Sequence, residues 1–323
     1  MDPAPRTPPD SLARLAAVAR AAAHRPGAPC HCASAQIGVL ADRDDGTVVR
    51  HGSLVAKAHA PGTDPEAHRA RLALAAHPDV HGVLLPPVPL PPGGAAGAGA
   101  LDGRPVTVWP YGPPVDPEDP DAAPWEEAAR LLARLHRTPP PPGLAARLPG
   151  MRAPLKVTLA VDRMRRTAPG HPAAATVLRA WRTVPDAGAD TTGRRLLCHG
   201  DFHLGQLVRA PRPVGAPAGE CPWRLIDVDD LGLGDPAWDL ARPAAWFAAG
   251  ILPPEVWTRF LGAYEAADGP AVGADPWARL DVPARSLTVQ TAALALAKSA
   301  AERRPLDEVE EVMIDTCARI AAA

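Results

Sequence analysis

Most short β-branched runs fall in the first third of this chain, and helix-period patterns predominate after Pro113. The runs "AQIGVLAD", "GTVVRHG" and "SLVAKAHA" fall within residues 35–59, and an Asp-Asp-Gly turn separates the first two. They predict a β-meander. Ahead of them, residues 11–23 predict a short helix. After them, "TDPEAHRARLALAAH" predicts another: Thr63 or Asp64 can cap it, Pro65 suits its first turn, and Leu72 and Leu74 supply an apolar side. "VHGVLLPPVPL" and "RPVTVWPYG" predict two further strands joined by a Gly/Ala loop at 93–100.

Beyond Pro113, "PWEEAARLLARLHR" sets Ala129, Leu132 and Leu135 on one side of a helix. Further helices are expected near 154–166, 172–183, 236–248, 254–267, 284–303 and 307–321. Two short strands, "GQLVRA" and "WRLIDV", interrupt them, with a Pro/Gly loop at 211–222 between. The chain shows no internal repeat. The layout predicts a two-lobed α+β protein with a small, mostly antiparallel β-rich N-lobe over 1–112. The connector "VTVWPYGPP" follows, then a larger, mainly helical C-lobe over 113–323.

A chain of 323 residues can bury a sizeable core. Its net charge of -2 provides no basic field for nucleic acid and no polybasic membrane patch, so small molecules or proteins are the expected partners. The N-terminus lacks an apolar signal core, and no apolar run approaches the ~20 residues of a membrane span. Cys30, Cys32, Cys198, Cys221 and Cys317 are an odd, scattered set that suits a reducing cytoplasm, the expected location. Cys30-His31-Cys32 has half of a zinc ligand set, but no second CxxC or HxxxH pair completes it, so it is expected as a thiol pair in a loop. The 42 prolines do not signal disorder, because hydrophobic periodicity persists between them. Lysine is scarce, occurring only at 57, 156 and 298, so Lys57 inside an apolar strand stands out from background.

The stretch "HGDFHLGQ", His199 to Gln206, carries the chemistry. His199, Asp201 and His203 alternate as metal ligands on a strand would, but Gly200 and Gly205 favour a strand that ends in a loop. Asp201 and Gln206 gain a partner in "RLIDVDDLGLGDP", where an apolar strand ends on Asp227 ahead of a Gly-rich turn. If the two short strands pair, their oxygens converge. Mg²⁺ asks for such a set, with few protein oxygens, one or two of them carboxylate, and substrate phosphates completing the octahedron. Asp201 would then sit beside an acceptor hydroxyl and take its proton as a P–O bond forms.

"HGDFHLGQ" followed by "LIDVDDLGLGDPAWDLA" resembles the aminoglycoside phosphotransferase/choline kinase-like superfamily, relatives of protein kinases. The match is close over about 195–245 and weaker over most of the chain. It implies a protein-kinase-like fold, ATP or another nucleoside triphosphate as phosphoryl donor, Mg²⁺, and a small-molecule hydroxyl acceptor such as an aminoglycoside, amino sugar or sugar. By that resemblance Asp201 is the catalytic aspartate and Asp227 the main Mg²⁺ ligand. Gln206 stands where most members have asparagine, a wording also similar to bacterial maltokinases, which are longer. Lys57 fits the strand lysine that contacts the α/β-phosphates, with Glu66 in the next helix as its ion-pair partner. Trp109 to Gly112, including Tyr111, would be the interlobe hinge that receives adenine. No G-x-G-x-x-G precedes Lys57, which leaves the phosphate loop around Ser34–Val39 or Asp42–Gly46.

Asp235-Pro236 is expected to start a helix and Asp239 to brace the catalytic loop or else to face the helix N-terminal dipole, while Asp229 is open between a metal or acceptor contact and a solvent-facing acid. Glu255, Glu265 and Asp268 are the acids available to a polycationic acceptor. Two rival readings are a D-x-D phosphatase or glycosyltransferase at "LIDVDD", and a nucleotide-binding regulator without catalysis. Retention of Lys57, Asp201 and Asp227 speaks against the second. The oligomeric state is open.

Overall fold

The computed structural model describes residues 7–24, 29–89, 100–185, 193, 195–211 and 221–322. Intrachain contacts group them into two units, Met1–Val115 with Leu207–Ile226, and Asp116–Gln206 with Asp227–Ala323. Most of the expected Gly/Ala loop at 93–100 and of the Pro/Gly loop at 211–222 lies outside the described residues.

The first unit opens with helix α1 (Pro9–Ala23), followed by β1 (Ile37–Arg43), β2 (Gly46–His51), β3 (Leu54–His59), helix α2 (Pro65–Ala75), β4 (Ala100–Leu101) and β5 (Arg104–Pro110). These strands form one antiparallel sheet in the order β1-β2-β3-β5-β4. The Arg43↔Gly46 pair leaves Asp44 and Asp45 as a two-residue turn, as the Asp-Asp-Gly run predicts. Leu15, Val18 and Ala19 of α1 pack on Val49, Ala56, Ala58, Val106 and Val108, and this forms the unit's core. Asp64 is the residue that caps α2, accepting the N–H groups of Glu66 and Ala67 at 2.9 and 2.8 Å.

The expected strand "VHGVLLPPVPL" does not form. Leu84 and Val88 make only isolated bridges, to Leu225 and Val108. Pro86, Pro87 and Pro89 have no N–H to donate, so a continuous ladder is impossible there.

The second unit contains α3 (Trp125–Arg137), α4 (Pro142–Ala145), α5 (Ala153–Thr167), α6 (Ala174–Thr183) and β6 (Leu196–Cys198). The chain then re-enters the first unit as the hairpin β7 (Leu207–Arg209) and β8 (Trp223–Leu225). It returns through β9 (Gly232–Gly234), α7 (Ala237–Ala249), α8 (Pro254–Ala266), α9 (Trp277–Glu302) and α10 (Glu308–Ala322). The Gly-rich turn expected after Asp227 is in part a strand, because β9 pairs antiparallel with β6. Helix α9 starts before the expected 284 and runs through Pro283. Burial of Leu280, Pro283, Leu287, Val289 and Leu296 compensates the hydrogen bond that the proline removes. Its apolar side meets Val157, Val161 and Met164 of α5, Val177 of α6 and Met313 of α10 in the core of this unit.

Candidate active site

The loop after β6 is fixed by its backbone. Gly200 has φ +81°, and a Cβ there would lie 2.2 Å from the carbonyl oxygen of Asp230, so only glycine fits. The N–H groups of His199 and Gly200 donate to the two oxygens of Asp239 at 2.6 and 2.7 Å. Asp239 is fully buried, and His136 Nε2 lies 2.9 Å from its Oδ2. That carboxylate requires the proton on Nε2, which leaves Nδ1 to accept the Tyr264 hydroxyl at 2.7 Å. The Tyr264 oxygen in turn accepts the N–H of Ala271 at 3.0 Å. Burial works against charge on Asp239, yet His136 and the loop N–H groups win and hold its carboxyl below the usual range. The bracing role expected of Asp239 is the one observed.

Asp201, next in the loop, sits in a row of alternating charges. Its Oδ1 accepts Arg242 Nη2 at 2.8 Å, and its Oδ2 lies 2.8 Å from Lys156 Nζ. Lys156 also reaches Asp230 Oδ2 at 2.7 Å, and Arg152 reaches Asp230 Oδ1 at 3.0 Å. Burial disfavours the ionised form of Asp201, but Lys156 and Arg242 overcome it and keep its carboxyl far below the usual carboxylate range. The two carboxylates in the same way raise the Lys156 ammonium against a burial effect that would lower it. Two of the roughly four lone-pair sites of Asp201 are used by these cations, so others stay available to a substrate hydroxyl.

His199 and His203, the eye-catching histidines, do other work. His203 Nδ1 accepts the N–H of Gly205 at 3.1 Å and so shapes the turn before Gln206. Burial, then the nearby Arg242, pushes its imidazole down to about 4, with Asp201 opposing. The unfolded chain therefore binds more protons than the folded one between about pH 6.5 and 4, and stability contributed by His203 falls as pH drops through that window. His203→Gln is expected to flatten this part of the stability profile, read as urea midpoint against pH. An unchanged slope would remove His203 as its source.

Gln206 closes a short 3-10 turn (Leu204–Gln206) and is buried. Strands β7 and β8 pair antiparallel, as their sequences suggested, and Leu207↔Leu225 is the open end of that hairpin. Gln206 and the Ile226-Asp227 segment therefore continue from neighbouring chain ends. The strand stops at Leu225, two residues short of the expected end. Asp227 instead takes a left-handed conformation, φ 63°, which non-glycine residues adopt at a cost of about 1–3 kcal/mol. Its Oδ1 accepts the N–H of Asp229 at 3.3 Å.

In the first unit, Lys57 lies mid-strand between Val48 of β2 and Thr107 of β5. Its stem runs close to Gly46, where a Cβ would lie 3.4 Å from Lys57 Cε. Glu66 is exposed in the first turn of α2. Trp109 is buried and its ring N–H donates to Thr107 Oγ1 at 2.8 Å. The N–H of Tyr111 donates to Ser53 O at 2.7 Å, and Arg50 stacks 3.4 Å above its ring centroid.

Sequence reasoning missed Lys156, Arg242, Asp230 and His136. Lys156 had a signal, because the lysine scarcity that singled out Lys57 applies to it equally.

An antiparallel β-sheet unit at the start and a helical unit that carries a braced loop after β6 are the parts of a kinase-like α+β fold. Residues 39–282 match the family model described as "APH: Phosphotransferase enzyme family", and the chain belongs to that family. No curated protein sequence matches it significantly. Among solved structures it is similar to a choline/ethanolamine kinase family protein from Mesorhizobium loti, at 16% identity over 97% of this chain and 92% of that one, with a TM-score of 0.54. A microcompartment-associated aminopropanol kinase shares 16% identity over 95% of this chain and 94% of that one, with a TM-score of 0.57. A thermostable aminoglycoside phosphotransferase, in ternary complex with AMP-PNP and hygromycin B, shares 12% identity over 89% of this chain and 94% of that one, at a TM-score of 0.56. These likenesses establish the fold. Among the described residues no helix is long and apolar enough to cross a membrane.

Proposed function

We propose that the protein transfers the γ-phosphoryl group of ATP to a hydroxyl of a small, uncharged or weakly charged molecule, a sugar or sugar-like acceptor. The carrying observation is Asp201, fixed by Lys156 and Arg242 in a small cleft that Trp238, Leu287 and Gln290 also line. Asp201 orients the acceptor hydroxyl and takes its proton as the new P–O bond forms. With so acidic a carboxyl, orientation outweighs base strength, which suits a transfer dominated by positioning and charge stabilisation. Lys57 holds the nucleotide phosphates with Glu66 as its support, and backbone groups of Trp109 to Gly112 receive the base. The related structure that carries AMP-PNP and hygromycin B supports a nucleotide donor and a small-molecule acceptor.

The donor set at the open end of the β7–β8 hairpin fits a hard cation, since Gln206 offers an amide oxygen and Asp227 a carboxylate. Bound there with the nucleotide, Mg²⁺ would neutralise phosphate charge. Asp227→Ala is expected to raise the Mg²⁺ concentration needed for half-maximal nucleotide binding at least tenfold, read by calorimetric titration at fixed ATP. An unaltered Mg²⁺ requirement would take Asp227 out of that role.

The charge of the cleft bears on the acceptor. Asp230 and Asp201 both bind Lys156, and Arg242 binds Asp201, so two cations and two carboxylates balance beside the cleft. Gln290, 4% exposed, has a buried side-chain oxygen with no donor among the described residues, ready for one hydroxyl or amine proton. Glu255, Glu265 and Asp268 are all exposed, and Asp268 is within 3.5 Å of Arg137. A cleft of this charge favours neutral polyols over polycations. In an acceptor screen by ADP release, neutral sugars and glycosides should give the highest kcat/KM. A tenfold preference for polycationic aminoglycosides would overturn the acceptor assignment.

A further inference from the structure

We propose that His24, Cys30, Cys32 and His51 form a tetrahedral zinc site that staples the end of helix α1 to the end of strand β2. Their ligand atoms, two sulfurs and two imidazole nitrogens, all lie within 4.8 Å of one another. Cys30 Sγ is 3.2 Å from His51 Nε2, and Cys32 Sγ is 3.3 Å from His24 Nε2. The two imidazoles meet edge-on, with centroids 5.2 Å apart and planes at 89°. With Zn–S near 2.3 Å and Zn–N near 2.0–2.1 Å, a tetrahedral site has S···N edges of about 3.6 Å. Expansion by a few tenths of an ångström would therefore admit the ion.

The surroundings are shaped for this cluster. His51, the last residue of β2, is 6% exposed. Gly52, which turns the chain from β2 into β3, has φ +63°, and a Cβ on it would lie 2.9 Å from Cys32 Sγ. The approach of that thiol thus depends on the same glycine that the turn needs. His31, between the cysteines, is exposed, as a non-ligand flanked by two inward ligands would be.

The donor chemistry selects the metal. Two thiolates and two imidazoles suit Zn²⁺ and offer nothing to Mg²⁺, which wants oxygen. Four protein ligands close the coordination sphere, so the site is structural and separate from phosphoryl transfer. Binding releases one proton from each thiol, and the two thiolates neutralise the ion. The expected loop thiol pair is thereby reassigned. Its missing partners come from a helix end and a strand end: His24 lies six residues before Cys30, and His51 lies 19 residues beyond Cys32.

The test uses the full-length protein, purified without added metal and then titrated with Zn²⁺ against a chromophoric chelator. The expected result is one Zn²⁺ per chain, with affinity at least about 100-fold weaker in Cys32→Ser. Replacement by Co²⁺ should give the intense visible absorption of tetrahedral cobalt–thiolate, lost in Cys30→Ser/Cys32→Ser. His24→Ala, at a half-exposed position, serves as a second ligand variant should the cysteine variants fold poorly. Equal Zn²⁺ affinity in wild type and both kinds of variant would overturn the proposal. So would a Cys30–Cys32 disulfide in freshly purified protein, or an octahedral cobalt spectrum.

Discussion

Asp201→Asn is expected to lower kcat about 10³-fold while changing ATP affinity by no more than a few-fold. The substitution preserves size but exchanges one carboxylate oxygen for an amide that donates. That amide must face either Lys156 or Arg242, each 2.8 Å from an Asp201 oxygen, and neither can accept a hydrogen bond. Lys156 keeps its second partner, Asp230, at 2.7 Å, so the row of charges survives in part and the fold is retained. What disappears is the anionic oxygen that orients the acceptor and receives its proton, a contribution typically worth 10²–10⁴-fold. Steady-state kinetics with a coupled ADP assay, together with equilibrium nucleotide binding, separates the two effects. A variant with wild-type kcat would refute the catalytic assignment. Loss of nucleotide binding in parallel would mean that Asp201 acts on the donor instead of the acceptor.

Asp239→Ala is expected to cost about 4 kcal/mol of stability, a large part of the ~5–15 kcal/mol available to a typical domain. Three donors lose their acceptor at once: the N–H groups of His199 and Gly200, and His136 Nε2. Each buried donor left unsatisfied costs about 1–3 kcal/mol, and three of them set the scale of the loss. Urea unfolding should show a midpoint lower by more than 1 M for an m-value of about 2–3 kcal/mol/M. If the alanine variant does not accumulate, Asp239→Asn, which keeps one oxygen, should fold with an intermediate loss. A change below 1 kcal/mol in either variant would mean that the loop is held by other contacts. Acid should act in the same direction. The Asp239 carboxyl is depressed in the fold, so its stabilisation is complete above the unfolded value near 3.8 and is lost as pH falls through the lower folded one.

These two residues also show what the sequence could carry. Asp201, Gln206 and Asp227 stand out as candidates because short loops follow or precede short strands, and the spacing within each loop is local. Asp239 was legible for the same reason, as an acid at the start of a helix just after the Gly-rich turn. Its partners were not. His136 is 103 residues from Asp239 and 128 from Tyr264, and no periodicity links such positions. Lys156 and Arg242 reach Asp201 from two helices, α5 and α7, whose packing side chains alone gave the pattern. The same holds for elements. Asp64 and Pro65 announced α2 through local capping chemistry, whereas α9 crosses Pro283 because tertiary burial outweighs one missing hydrogen bond. The stretch at 80–90 had strand-like residues, and its prolines withheld the N–H groups a strand requires.

Phosphoryl transfer to a small-molecule hydroxyl can be followed by ³¹P NMR of the purified protein with Mg²⁺, ATP and the best neutral acceptor from the ADP-release screen. A new phosphomonoester resonance should grow in step with ADP, be absent without acceptor and appear about 10³-fold more slowly with Asp201→Asn. ADP accumulating with inorganic phosphate alone, or ATP bound and unconsumed across the whole acceptor panel, would contradict that transfer.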